Sequence, residues 1–256
     1  MRLQSFAFHR FSTLLYSAVL TLGIMTQAHA SNSVIASKTA FQLPPAAELQ
    51  YSIKAKQSGI SLGGSASVKW MVSNHNYQIL TETRAMLFGK ILDASSVGNI
   101  DDFGLAPEKF VEKRFGKPAT TTGFNRDSKT ISFTASAETY VIKGGEQDRT
   151  SATWQLVAQA RAAGEKFKPG SEWKMFVAGR RDAEEWTFKV VASEKITTAM
   201  GEINTVHISK APPPDSKDQT LDIWLSPEME WYPVRLKFSD ANGEYIDQTL
   251  ESVTKL

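Results

Sequence analysis

The stretch 49-LQYSIKAKQSGISLGGSASVKWMV-72 decides the fold. Leu49, Tyr51, Ile53 and Ala55 alternate with Gln50, Ser52, Lys54 and Lys56, the period-two pattern of a strand with one face buried. Beyond a Gly-rich turn, Leu62, Gly64, Ala66, Val68, Trp70 and Val72 share one face of a second strand. A connection this short joins antiparallel neighbours, because a parallel pair needs a crossover of a dozen or more residues.

The same grammar continues outward. Asn74-His75-Asn76 turns the chain into a third strand over 77–86, and shorter strands are expected near 94–100, 108–115, 120–126, 130–135 and 138–142. One helix interrupts them. Ser151 is the expected N-cap, Trp154, Val157, Ala158 and Arg161 follow at i, i+3, i+4, i+7, and Gly164 ends the run. Leu156, Ala160 and Ala163 add a second apolar stripe, so this helix is expected to pack on or plug a curved sheet. Strands return at 173–177, 186–192, 203–210, 220–225, 233–239 and 244–253, with 211–218 as an extended loop containing three successive prolines. So many strands exceed what an open twisted sheet comfortably holds. The expected fold is mainly β, an antiparallel curved sheet or a β-barrel or half-barrel with one covering helix near 151–163, as a single domain over 48–256.

Residues 1–30 read as a cleavable signal peptide: Arg2 and Arg10 precede an apolar run over 11–25, and Ala28-His29-Ala30 supplies small residues for cleavage. A membrane anchor needs roughly 20 mostly apolar residues, and this run carries Ser12, Thr13, Ser17 and Thr21. Residues 31–47, leading to Pro44-Pro45, are expected to form a flexible tether. There is no cysteine, hence no disulfide and no acceptor for a lipoprotein lipid. The expected address is the periplasm.

Cleavage removes Arg2 and Arg10 and no acid, taking 29 basic residues to 27 against 27 acidic ones. A formally neutral chain with mixed charges lacks the basic footprint that nucleic acid requires and predicts no polybasic attraction to anionic lipid.

Catalytic machinery is sparse. Two histidines survive cleavage, His75 in a turn and His207 in a strand, and with no cysteine they exclude a zinc site of Cys and His ligands. Gly59-Ile60-Ser61-Leu62-Gly63 matches the nucleophile-elbow pattern, but that motif needs a strand-to-helix turn, and Ser61 leads into a strand. Asp101-Asp102 and Glu184-Glu185 are adjacent pairs, and adjacent strand residues point to opposite faces. No spaced ligand series supports Ca²⁺ at the first, and neither a phosphate loop nor a dinucleotide fingerprint occurs. No cofactor is expected, and the chain is expected not to be an enzyme.

All six tryptophans, Trp70, Trp154, Trp173, Trp186, Trp224 and Trp231, lie beyond the signal. Large aromatics ordinarily fill β cores. The functional alternative makes Trp70, Trp154, Trp186 and Trp224 the lining for an apolar or amphipathic ligand, with Arg235 for a carboxylate or phosphate. As a surface residue, Arg235 is expected to pair with Asp222 or Glu228.

From Gly164 onward the order is distinctive: Thr197-Thr198-Ala199-Met200-Gly201, then Leu221-Asp222-Ile223-Trp224-Leu225-Ser226-Pro227-Glu228, then Tyr232-Pro233-Val234-Arg235-Leu236 and a closing strand. This order resembles the exported bacterial family catalogued as domain of unknown function 3108. Gly104-Leu105-Ala106-Pro107 and the helix are also similar, which extends the resemblance from about Leu49 to the end. Pro227-Glu228 stands where that family has an Asp-containing turn. The resemblance implies a periplasmic β-fold and no activity. The function expected is non-enzymatic binding of a lipid-like ligand or an envelope-associated role. A protein-interaction module of the envelope, using a sheet edge or the 211–218 loop, is the alternative, and a hydrolase using Ser61 or carboxylates is a third.

Overall fold

A computed structural model describes residues 38–211 and 219–256. The expected signal peptide, the first part of the expected tether and residues 212–218 of the extended loop lie outside the described residues.

β1 (Ala47–Gln57) and β2 (Ile60–Val72) form the predicted hairpin. The meander continues through β3 (Asn76–Ala85), β4 (Gly89–Asp101), β5 (Gly104–Arg114), β6 (Thr120–Asn125), β7 (Thr130–Phe133) and β8 (Thr139–Val141). On the other side of β1 lies β15 (Tyr245–Lys255), followed in space by β14 (Pro233–Ser239), β13 (Thr220–Leu225), β12 (Gly201–Lys210), β11 (Ala183–Thr198), β10 (Glu172–Ala178) and β9 (Gln147–Asp148). One 15-stranded sheet thus holds β1 and β15 at its middle, and β8 and β9 are its edges. The sheet is curved, and among the described residues no backbone ladder closes it. Side chains join its margins: Gln147 Nε2 donates to Leu105 O at 2.6 Å, and Thr122 Oγ1 donates to Gly179 O at 2.7 Å.

The expectation of a wholly antiparallel sheet needs one correction. β9 and β10 pair in parallel, and the crossover that such a pair requires is the helix α1 (Ser151–Ala163). The N-cap also differs from expectation. Ser151 is the first helical residue, and the Asp148 carboxylate takes the backbone N–H groups of Thr150 and Ser151, both at 2.8 Å.

A helix with apolar residues on more than one side has to be covered on each of them, and α1 lies against the concave face between two walls. Leu156, Val157 and Ala160 pack with Phe188, Val190, Ile208, Ile223 and Leu225, while Trp154 joins Trp70, Tyr51 and Leu250 on the other side. Gln155 ties α1 to the β4–β5 turn, accepting Leu105 N–H and donating to Phe103 O. Gly104 there has φ +107, and a Cβ on it would come within 2.4 Å of the Gln155 amide, so both conformation and space require glycine.

Residues 42–46, within the stretch expected to be a tether, make specific contacts. Gln42 N–H bonds Ala158 O, Trp70 Nε1 donates to Pro44 O and Tyr232 Oη donates to Pro45 O. The prolines keep this segment out of the sheet, yet their carbonyls are the acceptors that two buried aromatic donors need.

Candidate functional site

Strand alternation places the β1–β2, β3–β4, β5–β6 and β14–β15 turns at one end of the sheet, here termed the rim. The β2–β3, β4–β5 and β13–β14 turns lie at the other end, the floor. The floor is filled. Trp154 stacks on Trp70 with centroids 4.6 Å apart and planes 10° apart, and Tyr232 meets Trp154 edge-on at 6.1 Å. Behind them sits a buried polar chain. Tyr77 Oη and Ser96 Oγ are 3.0 Å apart, and Ser96 Oγ donates at 2.5 Å to the fully buried Asp148. Burial pushes the Asp148 carboxyl up to about 6 against the opposing pull of its hydrogen bonds from Ser96, Ser151 and Thr150. The Tyr77 phenol is held well above its usual range, first by burial and then by Asp148.

Toward the rim the concave face carries apolar residues that are only partly buried. Ala55 stands opposite Leu62 and Ile246, Ile246 opposite Phe238, and Phe238 opposite Leu221, so these residues form one apolar row across five strands. Ala55, Leu62, Leu92, Leu236, Phe238 and Ile246 all remain half-buried. Charged groups flank the row. Lys210 lies over the Trp186 ring at 4.8 Å, Trp186 Nε1 donates to Glu184 at 2.9 Å, and Glu112 faces Arg114 at 2.5 Å and Arg180 at 3.6 Å.

The opposite face of β11–β15 carries a separate ladder. Register puts His207, Trp224, Arg235 and Thr249 side by side, turned away from Ile208, Ile223 and Leu236. His207 stacks on Trp224 at 4.3 Å and the Arg235 guanidinium covers the other Trp224 face at 4.6 Å. Trp224 Nε1 donates to Glu194, and His207 Nε2 lies 3.0 Å from Asp222. Burial raises the Asp222 carboxyl, but hydrogen bonds from His207 and Ser209 outweigh it and hold the group below its usual range. Arg235 forks onto Asp247 at 2.8 and 2.6 Å, rather than onto Asp222 or Glu228. A bidentate pair stacked on an indole is pre-organised. Arg235→Ala is therefore expected to lower stability by about 1.5 kcal/mol, and Arg235→Lys to recover less than half of that, in urea unfolding.

Of the residues singled out by sequence, Trp70 and Trp154 come together at the floor, Trp186 lies on the rim-side concave face, and Trp224 and Arg235 share the opposite face. They do not line one site. Ser61 sits in β2 opposite Lys56, with a strand and not a helix after it. Asp101 caps its own turn by accepting Phe103 N–H, Asp102 pairs with Lys38, and Glu185 with Lys174. Among the described residues no group of three or more His, Asp or Glu side chains gathers as a metal-ligand set, and no helix is long and apolar enough to cross a membrane. A groove of about 380 Å³ crosses the convex face, lined by Lys69, Leu80, Glu82, Asp93 and Lys113 among others. Sequence reasoning had not assigned Asp148 a role; an acid just before Thr150-Ser151 at a helix start is the signal that marks it. Phe238 and Ile246 had been read only as strand residues and Leu92 lay before the strand expected from 94, and only pairing across strands gathers them.

A family model described as "Protein of unknown function (DUF3108)" matches residues 50–251. No curated protein matches the chain. Among solved structures, a β-barrel-like protein of the family DUF1849 from Brucella abortus aligns at 12% identity over 85% of this chain and 100% of its own, with a TM-score of 0.53. A protein described as exported, with a YmcC-like fold, from Bacteroides fragilis aligns at 10% identity over 86% and 100%, with a TM-score of 0.37. A domain described as outer membrane lipoprotein-sorting from Vibrio parahaemolyticus aligns at 8% identity over 82% and 85%, with a TM-score of 0.31. The first likeness is one of fold; the other two scores fall below the level that supports an argument.

Proposed function

The chain belongs to the DUF3108 family of proteins of unknown function, and from that premise we propose that it is a non-enzymatic periplasmic binder, holding the apolar part of an amphipathic ligand in the rim-side half of its curved sheet. The observation that supports this is the row of half-buried apolar residues on the rim-side concave face. Ligand sites are concave and mostly apolar with a few polar groups that orient the ligand, and Lys210, Glu184, Arg114 and Arg180 stand where such groups are needed. The interaction-module alternative has less support at the sheet edges, because β8 has three residues and β9 two, and short edge strands discourage pairing with other chains.

Native mass spectrometry of the protein purified from its host is expected to show a bound lipid-like molecule. Phe238→Asp is expected to weaken binding of a fluorescent fatty acid at least about tenfold, roughly 1.4 kcal/mol, measured below the variant's own thermal midpoint because Phe238 packs against the core cluster. A ligand-free protein whose fatty-acid affinity is unmoved by Phe238→Asp would overturn the proposal.

A further inference from the structure

We propose that the rim docks on an anionic lipid bilayer through the tips of its first three hairpins. The sheet order sets the β1–β2, β3–β4 and β5–β6 turns side by side, about 10 Å apart at two strand spacings each. Each tip presents large apolar side chains to solvent: Ile60 is 62% exposed, Met86 81%, Leu87 78%, Phe88 56% and Phe115 64%. Single exposed apolar residues are ordinary, but five on adjacent tips form a patch, which marks an interaction surface.

The tips are held in place rather than loosely strung. Met86 N–H bonds Gly63 O at 2.9 Å, Phe115 N–H bonds Ile91 O at 2.8 Å, and the Phe88 and Phe115 rings meet at 6.5 Å. Hydrogen bonds thus join neighbouring strands beneath the apolar side chains and leave those side chains outward.

Charge selects the partner. Segments 56–61, 84–90 and 113–118 contain Lys56, Arg84, Lys90, Lys113, Arg114 and Lys117 and no acidic residue. Glu82 and Asp93 stand level with Lys113 in one cross-strand row, and they and Glu112 pair with Arg84, Lys90 and Arg114, which leaves Lys56 and Lys117 as the cations nearest the tips. On the neighbouring β14–β15 turn, Glu244 is engaged by the Ser58 N–H. Lys56, Lys113 and Lys117 make no ion pair among the described residues. Apolar tips ringed by lysines match the two layers of a bilayer surface, with acyl chains for the tips and anionic headgroups for the cations. The formal neutrality expected of the chain after signal cleavage predicts no such attraction, because it averages over segments that only the sheet order brings together. This docking does not depend on a ligand in the concave face.

The test is vesicle cosedimentation of the naturally processed protein. Vesicles containing phosphatidylglycerol are expected to bind it at least tenfold more strongly than pure phosphatidylcholine. Leu87→Ser combined with Phe88→Ser is expected to reduce that binding at least tenfold. Lys56→Glu, Lys113→Glu and Lys117→Glu together are expected to remove the preference for anionic lipid, with circular dichroism unchanged for both variants because every altered side chain is exposed. Equal partitioning of wild type and both variants would overturn the proposal. So would a wild-type dimer that ignores vesicles and dissociates on Leu87→Ser, since the patch would then be covered by a second copy.

Discussion

Trp154→Ala is expected to destabilise the fold by about 4 kcal/mol, the middle of the range for deleting a buried aromatic. Trp154 is 3% exposed and sits where the two walls of the curved sheet meet across α1. Its stacking on Trp70 and edge contact with Tyr232 add to the area it buries. Few alternatives exist for filling the space left behind. Trp70 and Tyr232 are each fixed by a hydrogen bond, to Pro44 O and Pro45 O, so collapse into the cavity would break bonds that hold residues 44 and 45. The sheet also has no closing ladder between β8 and β9, which leaves α1 and its contacts as a main link between the walls. Urea unfolding followed by circular dichroism measures the loss; Trp154→Phe, which keeps a stacked ring, is expected to cost less than half as much. A loss below about 1 kcal/mol for Trp154→Ala would mean that the floor is not packed as described.

The sheet was legible because period two is a local property. Leu49 to Val72 shows it without knowledge of any partner, and the 151–163 helix was legible because its stripes and terminal Gly164 lie within one segment. What could not be read is set by pairing between distant strands. Sequence offered Asp222 or Glu228 to Arg235, yet it takes Asp247: Asp222 and Asp247 stand opposite Lys237 on the two sides of β14, and Asp222 is engaged by His207. The four site tryptophans share a composition signal but not a face, since register turns Trp224 away from the helix side that holds Ile223 and Ile208. Phe238, Ile246, Ala55 and Leu62 form one apolar row only after β14, β15, β1 and β2 are placed in order. The contacts of residues 42–46 were hidden for a different reason: prolines forbid regular structure there, and the acceptor role of their carbonyls depends on donors elsewhere in the chain.

Replacing Asp148 is expected to change both the size and the pH dependence of stability. The carboxylate is fully buried and accepts from Ser96 Oγ and from the Thr150 and Ser151 backbone at the start of α1. Asp148→Ala strands these donors in the interior and is expected to cost about 3 kcal/mol or more at pH 5, since each unmet buried donor costs about 1–3 kcal/mol. The pH dependence follows from linkage. The native carboxyl titrates at about 6, above its ordinary value of 3.8, so between those values the folded state binds more protons than the unfolded chain. Stability from this group is therefore fully present below about pH 4 and falls as pH rises through 6, a loss on the order of 3 kcal/mol at 1.36 kcal/mol per unit. Asp148→Asn keeps an acceptor for the helix N–H groups and turns its amide to Ser96, whose hydroxyl can accept. It carries no charge to desolvate. The difference in unfolding free energy between wild type and Asp148→Asn is expected to shift by about 3 kcal/mol in favour of the variant between pH 4 and pH 7.5. Taking that difference removes the contribution of every other titrating group common to both proteins. A difference that stays flat across this range would show that burial does not raise the Asp148 carboxyl, and that its hydrogen bonds outweigh the cost of enclosing its charge.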